Sequence, residues 1–573
     1  MFKEKSLRIM APFLVLLILM MSATMAADRY VNVNTGTDDL TGGRGDTPGN
    51  PWKTIEYAVT NSNPNDNVNV AAGDYKTSTT GLILINKTLR LLGPQADVDP
   101  RPSAGTTRTP GDSSTEAIIN SQGALATILE IAAHGVEING FEITDATGDM
   151  IESNSGDWTT ATLKCCIIHD AGDEGVQLRD VWHSTIEYNY VYDIAQDGIN
   201  VSQGSWDTRI QFNEMTTCNS ENSVIYVYNS YGAIYINDNY IHNCTASNGI
   251  KVYENYDWPE AEPFYILNNR IENNDFNGTK YAIEGNAIQL YKPFKMANAN
   301  SSIIVQGNLI KNNDGNGNDA RQAGHGIYFH QATELTTNYL PLDIINNHIQ
   351  ENQGWGIMLV TASSTRDPSI SYVYSNHNTL YNNPLGEFNN TTSVTADAKL
   401  NYWGFSAGPA FGDLSGPVTT DTQALFTPRY VKLDTGGGTV SLEALLNDRY
   451  TLHSVTIPGL NQSSYFQMRA PEDRHGLNNA VEILLEPGTT LTGKATVKLE
   501  FTIPDDEITP YTWEQMRLAK WNGSSWEVIS DPTNVSNFGV ENTVECEVDS
   551  FSIFGVYPDP ATVPVELSIF SLE

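Results

Sequence analysis

Two cations, a histidine and a file of amides and tyrosines recur at one place in a repeated phrase. The phrase reads Gly175-Val-Gln-Leu178, Gly198-Ile-Asn-Val201, Gly249-Ile-Lys-Val252, Gly326-Ile-Tyr-Phe329 and Gly356-Ile-Met-Leu359, with Ala287-Ile-Gln-Leu290 as a copy lacking the glycine. Apolar residues alternate with others, which predicts short strands with one face toward a core. The outward positions are Gln177 and Arg179, Asn200 and Ser202, Lys251 and Tyr253, Gln289 and Tyr291, and Tyr328 and His330. Trp182, Tyr256 and Trp258 fall in the turns just beyond. Amides bind hydroxyls and aromatic rings stack on pyranose faces, so such a column suits a sugar polymer. A plain solvent-facing sheet has the same composition, and both readings stay open.

A second column lies just before that strand. Glu174 and Asp197 hold matching places one repeat apart, Asp173 stands beside Glu174, and His325 holds the same place later. Carboxylates about 5 Å apart bind a cation or share a proton. Asp-Gly turn chemistry is the rival account. Asp173, Glu174 and Asp197 are the candidate metal ligands, and calcium is the ion their oxygens suit.

The elements that position these residues are announced by asparagine. Ile186-Glu-Tyr-Asn189-Tyr-Val191 is followed by Ile210-Gln-Phe-Asn213-Glu-Met215, Ile236-Asn-Asp-Asn239-Tyr-Ile241 and Ile266-Leu-Asn-Asn269-Arg-Ile271. Val305-Gln-Gly-Asn308-Leu-Ile310, Ile344-Ile-Asn-Asn347-His-Ile349 and a partial copy at Asn378 continue the series. The asparagines are 24, 26, 30, 39, 39 and 31 residues apart. A fixed phrase at a variable period means coils of one design with insertions of different length. Neither half of a coil can bury its apolar face alone, but stacked coils can. Equivalent residues then lie about 4.8 Å apart, and asparagines at a bend form a ladder, since an amide both donates and accepts. A second ladder is expected five residues on, at Asn274, Asn313, Asn352 and Asn383, with Ile194, Cys218 and Cys244 in the earlier coils. Cys218 and Cys244 are then expected to stack as free thiols rather than as a disulfide.

Bulk properties narrow the setting. The chain has 573 residues and a formal net charge of −36, from 68 acidic and 32 basic residues. That field repels nucleic acid and anionic membrane surfaces. Lys3, Lys5 and Arg8, the apolar run from Ala11 to Met21 and the small residues of "SATMAAD" read as an export signal over residues 1–27. No later apolar stretch is long enough for a membrane helix. Five cysteines do not make a disulfide scaffold, and neither CxxC nor HExxH occurs, which argues against zinc. Past about Phe426 the phrase stops and alternating segments with a "WNGSSW" hairpin predict a β-sandwich. The expected domains are a helix of stacked coils over 28–409, a linker over 410–427, a sandwich over 428–558 and a tail over 559–573.

On these phrases the chain resembles the right-handed parallel β-helix, or pectate-lyase-like, superfamily over roughly residues 29 to 409. "RYVNVNTGTDDLTGG…NPWKTIEYAVTNSNPNDNVNVAAGDY" looks like its usual opening, "VEINGFEIT" like a typical coil, and "NYWGFSAGP" like its closing phrase. The fold class expected is all-β, a parallel solenoid followed by a sandwich. The resemblance implies a polysaccharide lyase that uses a Lys or Arg base, with a cation neutralising a uronate carboxylate. Lys251 is the candidate base, Arg179 the alternative, and His330 a further candidate. No lyase signature and no hydrolase aspartate set is present, and Gly324-His325-Gly326 lacks its partner motifs, so no family catalytic residue carries over. Two functions are therefore expected. One is an exported monomer that binds, and as a lyase cleaves, acidic polysaccharide. The other is a non-catalytic surface rod or adhesin.

Overall fold

The computed structural model describes residues 26–558 except 78–80, 154–157, 221, 232, 257–262, 277–284, 297–301, 316–323, 332–339, 362–369, 393, 400, 404–408, 410–411, 421–428, 434, 444–449, 462–463, 470–480, 486–488, 502–514, 523, 531–534 and 538–541. The export signal through Met25, the tail over 559–573, Trp258 and most of the "NYWGFSAGP" phrase lie outside the described residues. The chain forms two compact units, residues 1–173 with 178–190, and residues 174–177 with 191–573.

In the first unit, Asp28–Val31 pairs in parallel with Asn67–Val70, which pairs with Arg90–Leu92. The helix Ile55–Asn61 starts where Thr54 Oγ1 accepts the Tyr57 N–H, and it buries Ile55, Ala58 and Val59. Parallel pairing continues through Val136–Asn139, Ala161–Lys164 and Thr185–Glu187. The long connection between coils is pinned by Arg108. Its guanidinium is buried against Glu116 at 2.7 Å and also donates to the carbonyl of Cys165.

In the second unit most coils contribute one strand to each of three long parallel sheets, and Thr245–Ala246 and Asp275–Phe276 add a short extra pair. Ile234–Asn237, Tyr240–His242 and Asn248–Tyr256 form one such coil. The Ile-x-x-Asn-x-Ile phrase therefore spans two strands with the asparagine in the bend between them, and the Gly-Ile phrase is the third strand. Parallel registry is strict: Ile210, Ile236, Ile266, Val305 and Ile344 stack in one file, and all are fully buried. This is a parallel β-helix, whose core is a set of such files. Parallel pairing runs past Pro409, with Phe388 opposite Leu414 and Ala396 opposite Val418, into the stretch expected to be linker.

The asparagine ladder is present with each rung alike. Asn239 Nδ2 donates to Asn269 Oδ1, Asn269 to Asn308, Asn308 to Asn347, Asn347 to Asn378 and Asn378 to Asn401, at 2.9–3.1 Å. Each Oδ1 also accepts the backbone N–H of the previous asparagine, as in Asn269 N to Asn308 Oδ1 at 2.8 Å. Each amide further donates to a core-file carbonyl, as Asn308 does to Ile266 at 2.9 Å. The ladder thus satisfies the polar backbone of a buried bend. The residue before each rung is left-handed: φ is 56° at Asp238, 54° at Asn268 and 57° at Asn346. Asparagine tolerates that conformation, which explains the doubled Asn-Asn pairs.

The second ladder runs from Cys244 N to Asn274, then Asn313, Asn352 and Asn383. Glu387 ends it by accepting from Asn383 N and Nδ2. Cys218 and Cys244 are buried free thiols, and the hydrogen bond between them, with burial, pushes the Cys218 thiol up. Beyond the helix lie two antiparallel sheets. Val455, Val497, Leu499 and Val544 of one share a core with Phe466, Ile483, Leu518 and Phe554 of the other.

Two predictions follow from the ladders. Asn308→Ala strands the Asn269 N–H and the Ile266 carbonyl in a dry bend and should cost about 2–4 kcal/mol, read as a fall in urea midpoint. Burial raises the Glu387 carboxyl to about 7 from an ordinary 4.5, against the bonds from Asn383. The folded state therefore holds this proton more tightly than the unfolded chain does. Its stabilisation is full below pH 4.5 and is lost as pH rises through 7, by up to about 3 kcal/mol. Melting temperatures at pH 5 and pH 8 should converge in Glu387→Gln.

Candidate functional site

The third strands of the second unit form one parallel sheet. Ile199, Val201, Ile225, Val227, Ile250, Val252, Ile288, Leu290, Ile327 and Phe329 face the core and are fully buried. The alternate residues make two rows. Asn200, Tyr226, Lys251, Gln289, Tyr328 and Met358 stand level with one another along the first. Ser202, Tyr228, Tyr253, Tyr291 and His330 make up the second. Gly175 N and Val176 N donate to the carbonyls of Asp197 and Gly198, which sets Gln177 level with Asn200.

The first row corrects the sequence expectation of an open column. Gln177, Asn200 and Lys251 are 6–7 % exposed, Gln289 is 1 % and Tyr328 is 2 %. In-register neighbours one coil away flank these side chains on both sides. Tyr226 and Tyr228 are missing from the sequence column because Val224 stands where the other copies have glycine or, at Ala287, alanine. The Ile225-x-Val227 alternation was the signal available.

The second row is a stack of rings. Centroids are 5.4 Å apart for Tyr228 and Tyr253, 5.4 Å for Tyr253 and Tyr291, and 4.9 Å for Tyr291 and His330. The faces inside the stack therefore meet another ring, while at its two ends Tyr228 is level with Ser202 and His330 with Val360. What the row offers outward is edges and phenol hydroxyls rather than the open plates expected from sequence. Lys251 Nζ lies 5.4 Å from the Tyr226 ring and 5.9 Å from the Tyr253 ring, so it bridges the two rows by cation–π contact. The Tyr253 hydroxyl donates to Glu254 at 2.8 Å, and Lys292 stands 4.0 Å from the same carboxylate. Burial first, then the Glu254 bond, lifts the Tyr253 phenol above its ordinary range. Burial, then the Lys292 charge, lowers His330 to about 4, so it is neutral at physiological pH.

The remaining candidates have partners of their own. Arg179 is half-buried, 4.0 Å from Glu152, and its backbone N–H donates to Ser153 Oγ. Trp182 packs edge-on to Trp158 with centroids 4.7 Å apart. Asp197 is fully buried and accepts from Asn200 Nδ2 at 2.9 Å and Ser223 N at 3.0 Å. Those bonds make it a structural acceptor of the turn. Asp173 instead comes within 4.8 Å of Asp149, which the sequence reading passed over, and Glu174 is buried. His325 Nδ1 accepts the Trp355 N–H at 2.9 Å, which leaves the proton of the neutral ring on Nε2. Among the described residues no helix is long and apolar enough to cross a membrane.

Residues 126–292 match the family described as right handed beta helix region, and the fold is a right-handed parallel β-helix. No match among curated proteins was found. Solved structures similar to the chain include an alginate lyase from Paenibacillus sp. str. FPU-7, at 14 % identity over 64 % of this chain and 96 % of that one, TM-score 0.31. A GH87 alpha-1,3-glucanase catalytic domain is similar at 14 % identity over 67 % of this chain and 68 % of that one, TM-score 0.39. A pectate lyase is similar at 11 % identity over 70 % of this chain and 79 % of that one, TM-score 0.29. These likenesses concern the fold alone.

The electrostatics of the rows can be tested directly. Histidine-selective NMR should place the His330 midpoint near 4. Lys292→Met should raise it, and by less than the remaining gap to 6.5, because burial is the larger cause.

Proposed function

We propose that this chain is an exported protein that binds a polysaccharide along the two rows of the second unit. The observation that supports the reading most is the continuous file of Tyr228, Tyr253, Tyr291 and His330 beside a buried polar row. A sugar chain lying on this face would meet ring edges and hydroxyls at about 4.8 Å intervals. Asn200, Lys251 and Gln289 would supply hydrogen bonds from beneath. The polar first row is held in place by strands whose other face is core, as a preformed binding surface requires.

Lyase cleavage of an acidic polysaccharide is the second reading, and Lys251 favours it. Its ammonium lies inside the face, where a uronate carboxylate could be bound. Its contacts with the Tyr226 and Tyr253 rings hold Nζ in place. Calcium is the cofactor that this second reading would add. Arg179 and His330 remain its other candidate groups.

The test is affinity electrophoresis of the purified protein in gels containing pectin, alginate, glycosaminoglycans, xylan or galactomannan, with calcium or with chelator. Retardation by at least one polymer, weakened about tenfold in Tyr253→Ala, is expected. No retardation by any polymer would leave the rod reading in its place. Ultraviolet absorbance of unsaturated product, lost in Lys251→Ala, would add the lyase.

A further inference from the structure

Asn200 is held in one orientation by its neighbours. Its Nδ2 donates to Asp197 Oδ2 at 2.9 Å, while Asp197 Oδ1 accepts the Ser223 N–H at 3.0 Å. Turning the amide over would set its oxygen against a carboxylate, so Oδ1 must point away. That oxygen is buried and has no hydrogen-bond partner among the described residues. Gln177, level with it one coil away, has a buried Oε1 in the same condition. Asn389, at the far end of the same row, and His330, on the second, add a buried Oδ1 and Nδ1 without a partner among the described residues. A buried polar atom left unpaired is costly and calls for a missing partner. The three amide atoms are oxygens, which can only accept.

We infer that the Gln177–Asn200 end of this face is a subsite for ligand groups that donate hydrogen bonds, and that the polymer bound is a neutral, hydroxyl-rich glycan rather than a polyuronate. The inference rests on the reading of this face as a polysaccharide site and adds the substrate class. Four considerations agree with it. Carboxylates bring acceptors and no donors to acceptors already in excess. The first row holds one charged residue, Lys251, whereas a polymer with a carboxylate on every sugar needs a cation at each step. The net charge of −36 repels a polyanion before contact. The neutral state of His330 keeps a further cation off the face.

The experiment measures binding of the full chain to neutral polymers (dextran, xylan, galactomannan) and to polygalacturonate and alginate, by isothermal calorimetry at low and high salt. At least one neutral polymer should bind, without salt dependence and equally in chelator. Gln177→Leu keeps the bulk of the side chain and leaves Asp197 undisturbed, and should weaken that binding about tenfold at an unchanged melting temperature. Asn200→Ala should do the same, and it is judged only if its melting curve stays cooperative. Neutral binding that Gln177→Leu leaves untouched would overturn the subsite. Binding of polyuronates alone, or binding that chelator abolishes, would overturn the substrate class and leave the polysaccharide reading intact. Binding of no polymer would overturn both.

Discussion

The structure depends on one repeated interaction, the amide of one asparagine bonded to the amide of the next coil. A bend between two short strands turns backbone N–H and C=O groups into a dry interior, and each must find a partner. Asn308 serves several at once, by accepting from Asn269 N and Nδ2 and donating to Asn347 Oδ1 and the Ile266 carbonyl. This works only when the next coil has the same residue at the same height. The ladder therefore sets registry as well as stability, and every other file inherits that registry.

Registry explains what the rows became. Tyrosines one coil apart are close enough for their rings to meet face to face, as the 5.4 Å separations along Tyr228, Tyr253 and Tyr291 show. On the sheet of Ile234–Asn237 and Phe264–Leu267, Tyr235 and Tyr265 stack in the same way at 4.9 Å. A sequence reading that treats each outward tyrosine as a plate for a sugar misses this, because it counts residues and not their neighbours across coils. The same omission made Lys251 and Gln289 look exposed.

Much of the architecture was legible because it rests on repeated local chemistry. The Ile-x-x-Asn-x-Ile phrase located both core files and the first ladder. The offset of five residues located the second, including the cysteines at its early rungs. What stayed hidden was set by contacts between insertions and coils, which no phrase records. Arg108 and Glu116 form a buried pair inside such an insertion. Glu387 ends a ladder of asparagines with a carboxylate, a substitution visible only once the rung above is known. Asp197 looked like a cation ligand beside Glu174, yet Ser223 and Asn200 claim its oxygens.

The contrast between the ladders and the first row is itself informative. Identical amides satisfy one another, because each supplies what the next needs. The row of Asn200, Tyr226, Lys251, Gln289, Tyr328 and Met358 has the same spacing and similar burial but no such identity. In that row Asn200 Oδ1 is left over among the described residues. A fold that can file like residues together at every coil has no structural need of a mixed polar row under a stack of rings. Mixed polar residues stabilise the sheet less well than isoleucine or asparagine files would.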